Sequence, residues 1–415
     1  MTSEILIMNE KCVAIAADSA VTVGSGARKV FEADKLFSLS GSQPIGVMFY
    51  GGASIGDVPV SVLVSEYRSR PGADFRTLDD CVRDFMGFVE RGGGESFESN
   101  PLITADRVER EAAMQAIDLL DSISREMRSG GRESTRGAPR ANEIMRERLG
   151  AISADEGEAS FMLSRLEASA EVREAIDRSP LCRGEPLDRG LLLSLLSKVL
   201  ASGGSKRRST GVVIAGYGSD EPFPSFREIA VDGVFYRGPV YREVSSKKIG
   251  VGTRSWIEPF AQDDVVRTYM YGFDEEMMVK MLADMEHLWN TAMDELVDRI
   301  GGNEDVKNET REKNRHRVAE YGRHFWRCCT ERSYRPIQDA VRYLSKGEMA
   351  EMAESLIGIT SLKRRVSNDI ESVGGPIDVA VISKSEGLIW VKRKHYFNLD
   401  LNPRYVDRRR PERDV

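Results

Sequence analysis

The chain is poor in the residues that disulfide and metal chemistry need. Its five cysteines, Cys12, Cys81, Cys182, Cys328 and Cys329, are an odd number scattered over 415 residues. They fit neither a disulfide framework nor a zinc spacing, and they read as reduced thiols used for packing. Only four histidines occur. His316 and His324 stand on one expected helix about 12 Å apart along its axis, too far to share an ion. His324 and Cys328 are one turn apart, but two ligands do not make a zinc site. Neither a metal nor an organic cofactor is expected.

Long apolar runs are missing too. No stretch nears the roughly 18 consecutive apolar residues of a membrane span, and the N-terminus lacks a basic region followed by an apolar run and a cleavage site. No membrane contact and a cytoplasmic location are therefore expected. The formal net charge is -7, so nucleic acid is not the default partner, and the Arg-rich end "RYVDRRRPERDV" reads as a solvated tail. What is present is a globular composition, 41% hydrophobic and 30% charged. The length implies two domains or one domain with large insertions.

The apolar runs "ILIM" and "CVAIAA" flank the polar turn "NEK", which predicts a hairpin with both faces covered. "KVFEADKLFSL" and "PIGVMFYGGAS" follow around "SGSQ", predicting a first sheet of about four strands. Gly51 and Gly52 should end the last of these where backbone approaches something closely. Two helices are expected next, the second capped by Thr77. From 93 to 208 the chain is charged and helix-prone, as an inserted helical segment would be. Strand signals return in "STGVVIAGYGSD", "PSFREIAVDGVFYRG" and "SSKKIGVGT", around Asp-Gly and Gly-Pro turns. A second helical stretch occupies 271–348, where Met285, Trp289 and Met293 at helical spacing read as core or subunit contact rather than a cofactor box. The hairpin "PIDVAVI" and "LIWVKRK" closes the chain.

This order is not a βαβ alternation, and the short turns favour antiparallel pairing. The expectation is an α+β fold of four αββα layers, two antiparallel sheets face to face with helices outside. The core would be assembled from 1–92, 209–270 and 349–400, with 93–208 and 271–348 inserted and 401–415 a tail.

Several of these stretches resemble a known family. Thr2 precedes Asp18 of "AADSAVTVG" by sixteen residues, a lysine before an apolar pair follows in "DKLFSL", and Gly51-Gly52-Ala53 ends the next strand. "STGVVIAGYG", "AVDGVFYRG" and "IGVGTRS" are similar to central strands, and "GGPIDVAVISKSEGLIW" to a closing hairpin. Together they resemble the proteasome β-subunits and HslV-type peptidases, which are N-terminal nucleophile hydrolases. The likeness covers roughly 2–92, 209–266 and 349–394. Where that family often carries an arginine after the Asp-Ser pair and a serine near its last acidic site residue, this chain has Ala20 and Val266.

The resemblance implies a threonine peptidase. With Met1 removed, the α-amine of Thr2 serves as general base for its own hydroxyl, its reference pKa of about 7.7–8.0 leaving it partly neutral near pH 7. Lys35 would lower that value by its positive charge, with Lys29 as the competing lysine, and Asp18 would hold the lysine. Gly51 would offer its amide to the oxyanion, Thr22 and Ala53 would bind substrate backbone, and Ser209 and Asp263 would relay protons near the amine. Peptide or protein substrates and a ring-like homo-oligomer follow, with any ATPase partner left open. The rival readings are an idle scaffold or binding subunit, and a non-peptide amidohydrolase on the same fold.

Overall fold

The computed structural model describes residues 3–23, 29–56, 58–70, 74–91, 105–129, 138–182, 187–203, 209–235, 238–366, 374–395, 397–398 and 401–402. They form an α+β fold with two five-stranded antiparallel sheets and many helices. The chain divides into two compact units. The first takes Met1–Glu32, Ile249–Val381 and Ile389–Val415, the second Ala33–Lys248 and Ile382–Leu388.

The first unit opens with the expected hairpin, β1 (Ser3–Asn9) and β2 (Val13–Asp18), every residue of which is buried. A small pair follows, β3 (Ala20–Val23) and β4 (Lys29–Glu32).

The second unit runs through β5 (Leu36–Ser38), β6 (Ile45–Tyr50), β7 (Ser54–Ile55) and β8 (Val58–Pro59) to α1 (Val60–Ser69) and α2 (Leu78–Arg91). The helical segment then supplies α3 (Ala105–Ser129), α4 (Ala138–Ala151), α5 (Glu156–Ala168), α6 (Ala170–Arg178) and α7 (Arg189–Ala201). These have an apolar core of their own around Ile123, Met145, Leu195 and Leu196. The strands β9 (Thr210–Gly216), β10 (Ser225–Phe235) and β11 (Gly238–Lys248) complete a sheet in the order β11-β10-β9-β6-β5. Val47, Phe49, Val212 and Ile214 on this sheet bury Val64, Phe85 and Val89 of α1 and α2.

The chain returns to the first unit through β12 (Ser255–Ala261), α8 (Asp264–Tyr271), α9 (Glu275–Arg299), α10 (Glu304–Cys329), α11 (Arg335–Val341) and α12 (Lys346–Val366). It closes with β13 (Ile377–Ser383) and β14 (Gly387–Lys392), giving the order β12-β1-β2-β13-β14. Ala14 and Ala16 face Ala353, Leu356 and Ile357 in this unit's core, where small side chains on both elements let α12 pack tightly on the strand.

Three strand expectations are corrected. The first four strands do not share a sheet: β1 pairs with β12, and β6 with β9, partners that no local pattern specifies. The run "KVFEADKLFSL" breaks at 33–35 into β4 and β5, one in each unit. Asp232-Gly233 is not a turn. The register against β11 shifts between Val231 and Gly233, so the pair forms a bulge inside β10, a device that re-aims a side chain. The strand β12 itself was not singled out in advance, and its Pro259 is tolerated because β12 is an edge strand.

The start of α2 is fastened from a distance. Thr77 caps it as expected, its Oγ accepting the Asp80 amide at 3.2 Å. The buried Glu221 accepts the amides of Leu78 at 2.8 Å and Gly218 at 3.0 Å, and its other oxygen takes Lys248 Nζ at 2.7 Å. Burial pushes this carboxyl up, but Lys248 and the two amides outweigh it and hold it below the usual carboxylate range. A depressed folded pKa stabilises above the unfolded value and loses that contribution as pH falls through the folded one. Glu221→Gln should therefore cost about 1–3 kcal/mol at pH 7, and urea unfolding at pH 3 should show a smaller difference from wild type.

Candidate active site

In the first unit the hairpin register sets the arrangement. Glu4 lies opposite Ala17 in β1 and β2, which carries position 3 to the level of Asp18 at the strand's end. The buried Asp18 carboxylate accepts the Ser3 amide at 3.1 Å through one oxygen and the Gly374 amide at 3.0 Å through the other. Ser19 Oγ donates to the Pro376 carbonyl at 2.6 Å. The segment 374–376 is thus tied to the Asp18-Ser19 pair just before β13 begins. On its other side Ser3 pairs with Ala261, the only non-glycine with a positive φ, 62°, among the described residues. Such backbone costs about 1–3 kcal/mol and persists only where its surroundings enforce it.

Thr2 lies outside the described residues. The residue after it is held by a buried carboxylate on one strand and by a strained partner on the other. Asp263 stands at the start of α8 in the same unit, half-exposed, its carboxylate paired with Arg267 one turn on. The backbone of Thr22 pairs with Val30, and that of Lys29 with Val23.

The second unit holds the remaining candidates. Lys35 is buried just before β5, where its carbonyl accepts the Phe49 amide at 2.9 Å. Gly51 follows β6 with φ of 76°, and a Cβ there would sit 2.6 Å from the Ser209 carbonyl oxygen. A Cβ on Gly52 would meet Thr210 Oγ at 2.1 Å. The Ala53 carbonyl accepts the Val60 amide at 3.1 Å, and the Ser54 carbonyl accepts Thr210 Oγ at 2.8 Å. Gly51 and Ser209, far apart in sequence, are therefore neighbours, and the segment after β6 is clamped along its length. Gly51→Ala combines a left-handed φ with a clash against main chain. It should cost about 1–3 kcal/mol and, if the Gly51 amide is an oxyanion donor, lower kcat by about 10²-fold. Thermal melts beside peptide turnover at a permissive temperature separate the two effects.

Ser209 Oγ donates to Asp232 Oδ1, and Arg242 Nε lies 3.5 Å from Asp232 Oδ2. Asp232, Ser19 and Gly374 were not anticipated. Asp232 looked like a turn residue until the bulge turned it inward, and Gly374 was visible only as part of "GGPIDVAV". Burial pushes the Cys81 thiol up to about 12, far from the thiolate that reacts. Cys12 is buried, with Sγ 3.5 Å from Met349 Sδ. His324 Nε2 and Cys328 Sγ lie 3.6 Å apart on α10, and no group of three metal-ligating side chains occurs among the described residues. No helix among them is long and apolar enough to cross a membrane.

No protein-family model and no curated protein matches the chain. Solved structures of Anbu (ancestral beta-subunit) are similar to it over nearly the whole length. The protein from Yersinia bercovieri is 10% identical, with 98% of this chain and 93% of that one covered and a TM-score of 0.28. Anbu from Hyphomicrobium sp. strain MC1 is 9% identical, with both chains fully covered and a TM-score of 0.29. A helical assembly of the Anbu complex from Pseudomonas aeruginosa is 9% identical, with 98% and 93% covered and a TM-score of 0.28. At these scores the functional reading rests on the chain's own residues.

Proposed function

We propose that the chain is a proteasome-like N-terminal threonine hydrolase that cleaves peptide bonds once Met1 has been removed. The observation that carries this reading is the grip on Ser3. A buried, doubly hydrogen-bonded Asp18 fixes the backbone next to Thr2, whereas an ordinary terminus frays.

The Thr2 oxygen bonds to the scissile carbonyl carbon while its proton passes to the α-amine. The amine returns that proton to the leaving nitrogen as the C–N bond breaks, and an ester on Thr2 remains. Water, deprotonated by the same amine, attacks the ester and releases the acyl group. Lys35 favours the neutral amine by its charge, and Asp18 serves as its counterion. Gly51 donates its amide to the oxyanion, and the backbone after it, fastened to Val60 and Thr210, is held in place before reaction. Thr22 and Ala53 line up the substrate strand, and Ser209 and Asp263 relay protons to the amine. The Ser209 hydroxyl, held by Asp232, has the orientation of its donor set by that bond.

Intact mass and N-terminal sequencing of the purified chain, followed by a threonine-directed electrophile, test the proposal. The expected result is a chain that begins at Thr2 and gains one electrophile on that residue. Met1 retained throughout the population, or a blocked amine, overturns it. Turnover of small amides but not peptides would keep the nucleophile and move the substrate class.

A further inference from the structure

The second unit holds a groove beside the segment that carries Gly51. Arg110, Met114 and Ile117 of α3 and Glu171, Glu174 and Arg178 of α6 line a cavity of about 430 Å³, each set recurring at the three- and four-residue spacing of one helix face. The buried Ala113 and Ala175 also line it, and their single methyl groups leave space that longer side chains would fill. Met114 and Ile117 are each 37% exposed. The lining is continued by Ser54, which directly follows Ala53. Gly51 and Ala53 are themselves exposed. Three residues of extended chain span about 10 Å, so a substrate strand that meets Gly51 reaches the groove within about three residues of its scissile bond.

The charges around the groove do not select an ion. Glu111, Glu171 and Glu174 are set against Arg110 and Arg178, and each has a partner on the helices. Arg178 pairs with Glu174, and Glu171 shares a hydrogen bond with Glu109. Glu111 accepts Gln115 Nε2 at 3.1 Å, and Arg110 Nε donates to the Asp106 carbonyl at 3.3 Å. What the groove offers an occupant is the apolar surface of Met114 and Ile117 and the two alanines. A charged side chain would give up its water there for both signs of charge at once, whereas an apolar one gains by leaving water. A cavity of this volume admits a leucine or phenylalanine side chain.

We infer that the groove between α3 and α6 receives an apolar side chain of the peptide substrate, and that Met114 and Ile117 determine the preference for it; the inference rests on the function proposed above. Both residues belong to 93–208, outside the stretches that resemble proteasome β-subunits, so this chain adds the preference to the shared core.

Fluorescence anisotropy on the full-length Thr2→Ala chain, which binds without turnover, tests this. The ligands are short fluorescein-labelled peptides of alanine and serine along which a single leucine is walked. Leucine at one position should tighten binding about tenfold relative to alanine, and glutamate at that position should not. Met114→Glu and Ile117→Glu, both at exposed positions, should each erase that gain while leaving the all-alanine-and-serine peptide and the circular dichroism spectrum unaffected. The absence of any leucine-dependent position overturns the inference, as does a gain that survives both substitutions. Labelling of Thr2 in the wild-type chain by a small electrophile separates the two readings. Leucine-dependent binding without labelling keeps the groove and overturns the threonine mechanism, whereas labelling without leucine-dependent binding does the reverse.

Discussion

Thr2→Ala is expected to abolish peptide hydrolysis, lowering kcat/KM by about 10⁴-fold or more, as loss of a nucleophile does when the rest of its machinery stays in place. Alanine is also small enough to permit removal of Met1, so the variant keeps the free amine and loses only the hydroxyl. The substitution precedes the first strand and leaves the β1–β2 register and the Asp18 contacts with Ser3 and Gly374 untouched, so its melting temperature should match wild type. Thr2→Ser, which restores a hydroxyl without the methyl group, should recover turnover and electrophile labelling together. A fluorogenic peptide assay on the three proteins decides the matter, and undiminished turnover in Thr2→Ala would move the chemistry to another residue.

The second large effect concerns Asp18. Asp18→Ala removes the acceptor of two amides in a buried setting, and each buried donor left unmatched costs about 1–3 kcal/mol. A loss of roughly 2–5 kcal/mol is expected in urea unfolding, together with near-complete loss of turnover because Ser3, and with it Thr2, is released. Asp18→Asn separates these roles. Its amide oxygen can still accept one of the two N–H groups, so much of the stability should return. The charge that would hold Lys35 does not return, so turnover should stay low. Equal recovery of stability and turnover in Asp18→Asn would mean that Asp18 acts only as a hydrogen-bond acceptor.

The backbone setting of several candidate residues was legible because it follows local rules. The spacing from Thr2 to Asp18 spans one hairpin, and a hairpin register determines which residues stand opposite each other. Gly51 was legible because a left-handed turn against a neighbouring carbonyl admits little else. Ser209 could be named, but its partner could not. Asp232-Gly233 has the composition of a turn and becomes a bulge only because β10 continues alongside β11 on its far side. Gly374 could not be foreseen as a donor to Asp18, since 356 residues separate them.

The amino-acid order by itself determined the α+β class, the opening hairpin, and most strands and helices. These are set by apolar periodicity, turn residues and side-chain type, all of which act over a few residues. Tertiary structure decided which sheet each strand joined, sending β1 to β12 and β6 to β9. It also aimed Asp232 at Ser209 and left Met281, Leu288 and Leu296 of α9 exposed. Helical periodicity shows that Met281, Leu288 and Leu296 share a face, but not what covers it. That depends on which element packs alongside, and α10 meets α9 through polar pairs and through Leu282, which lies against Gly322.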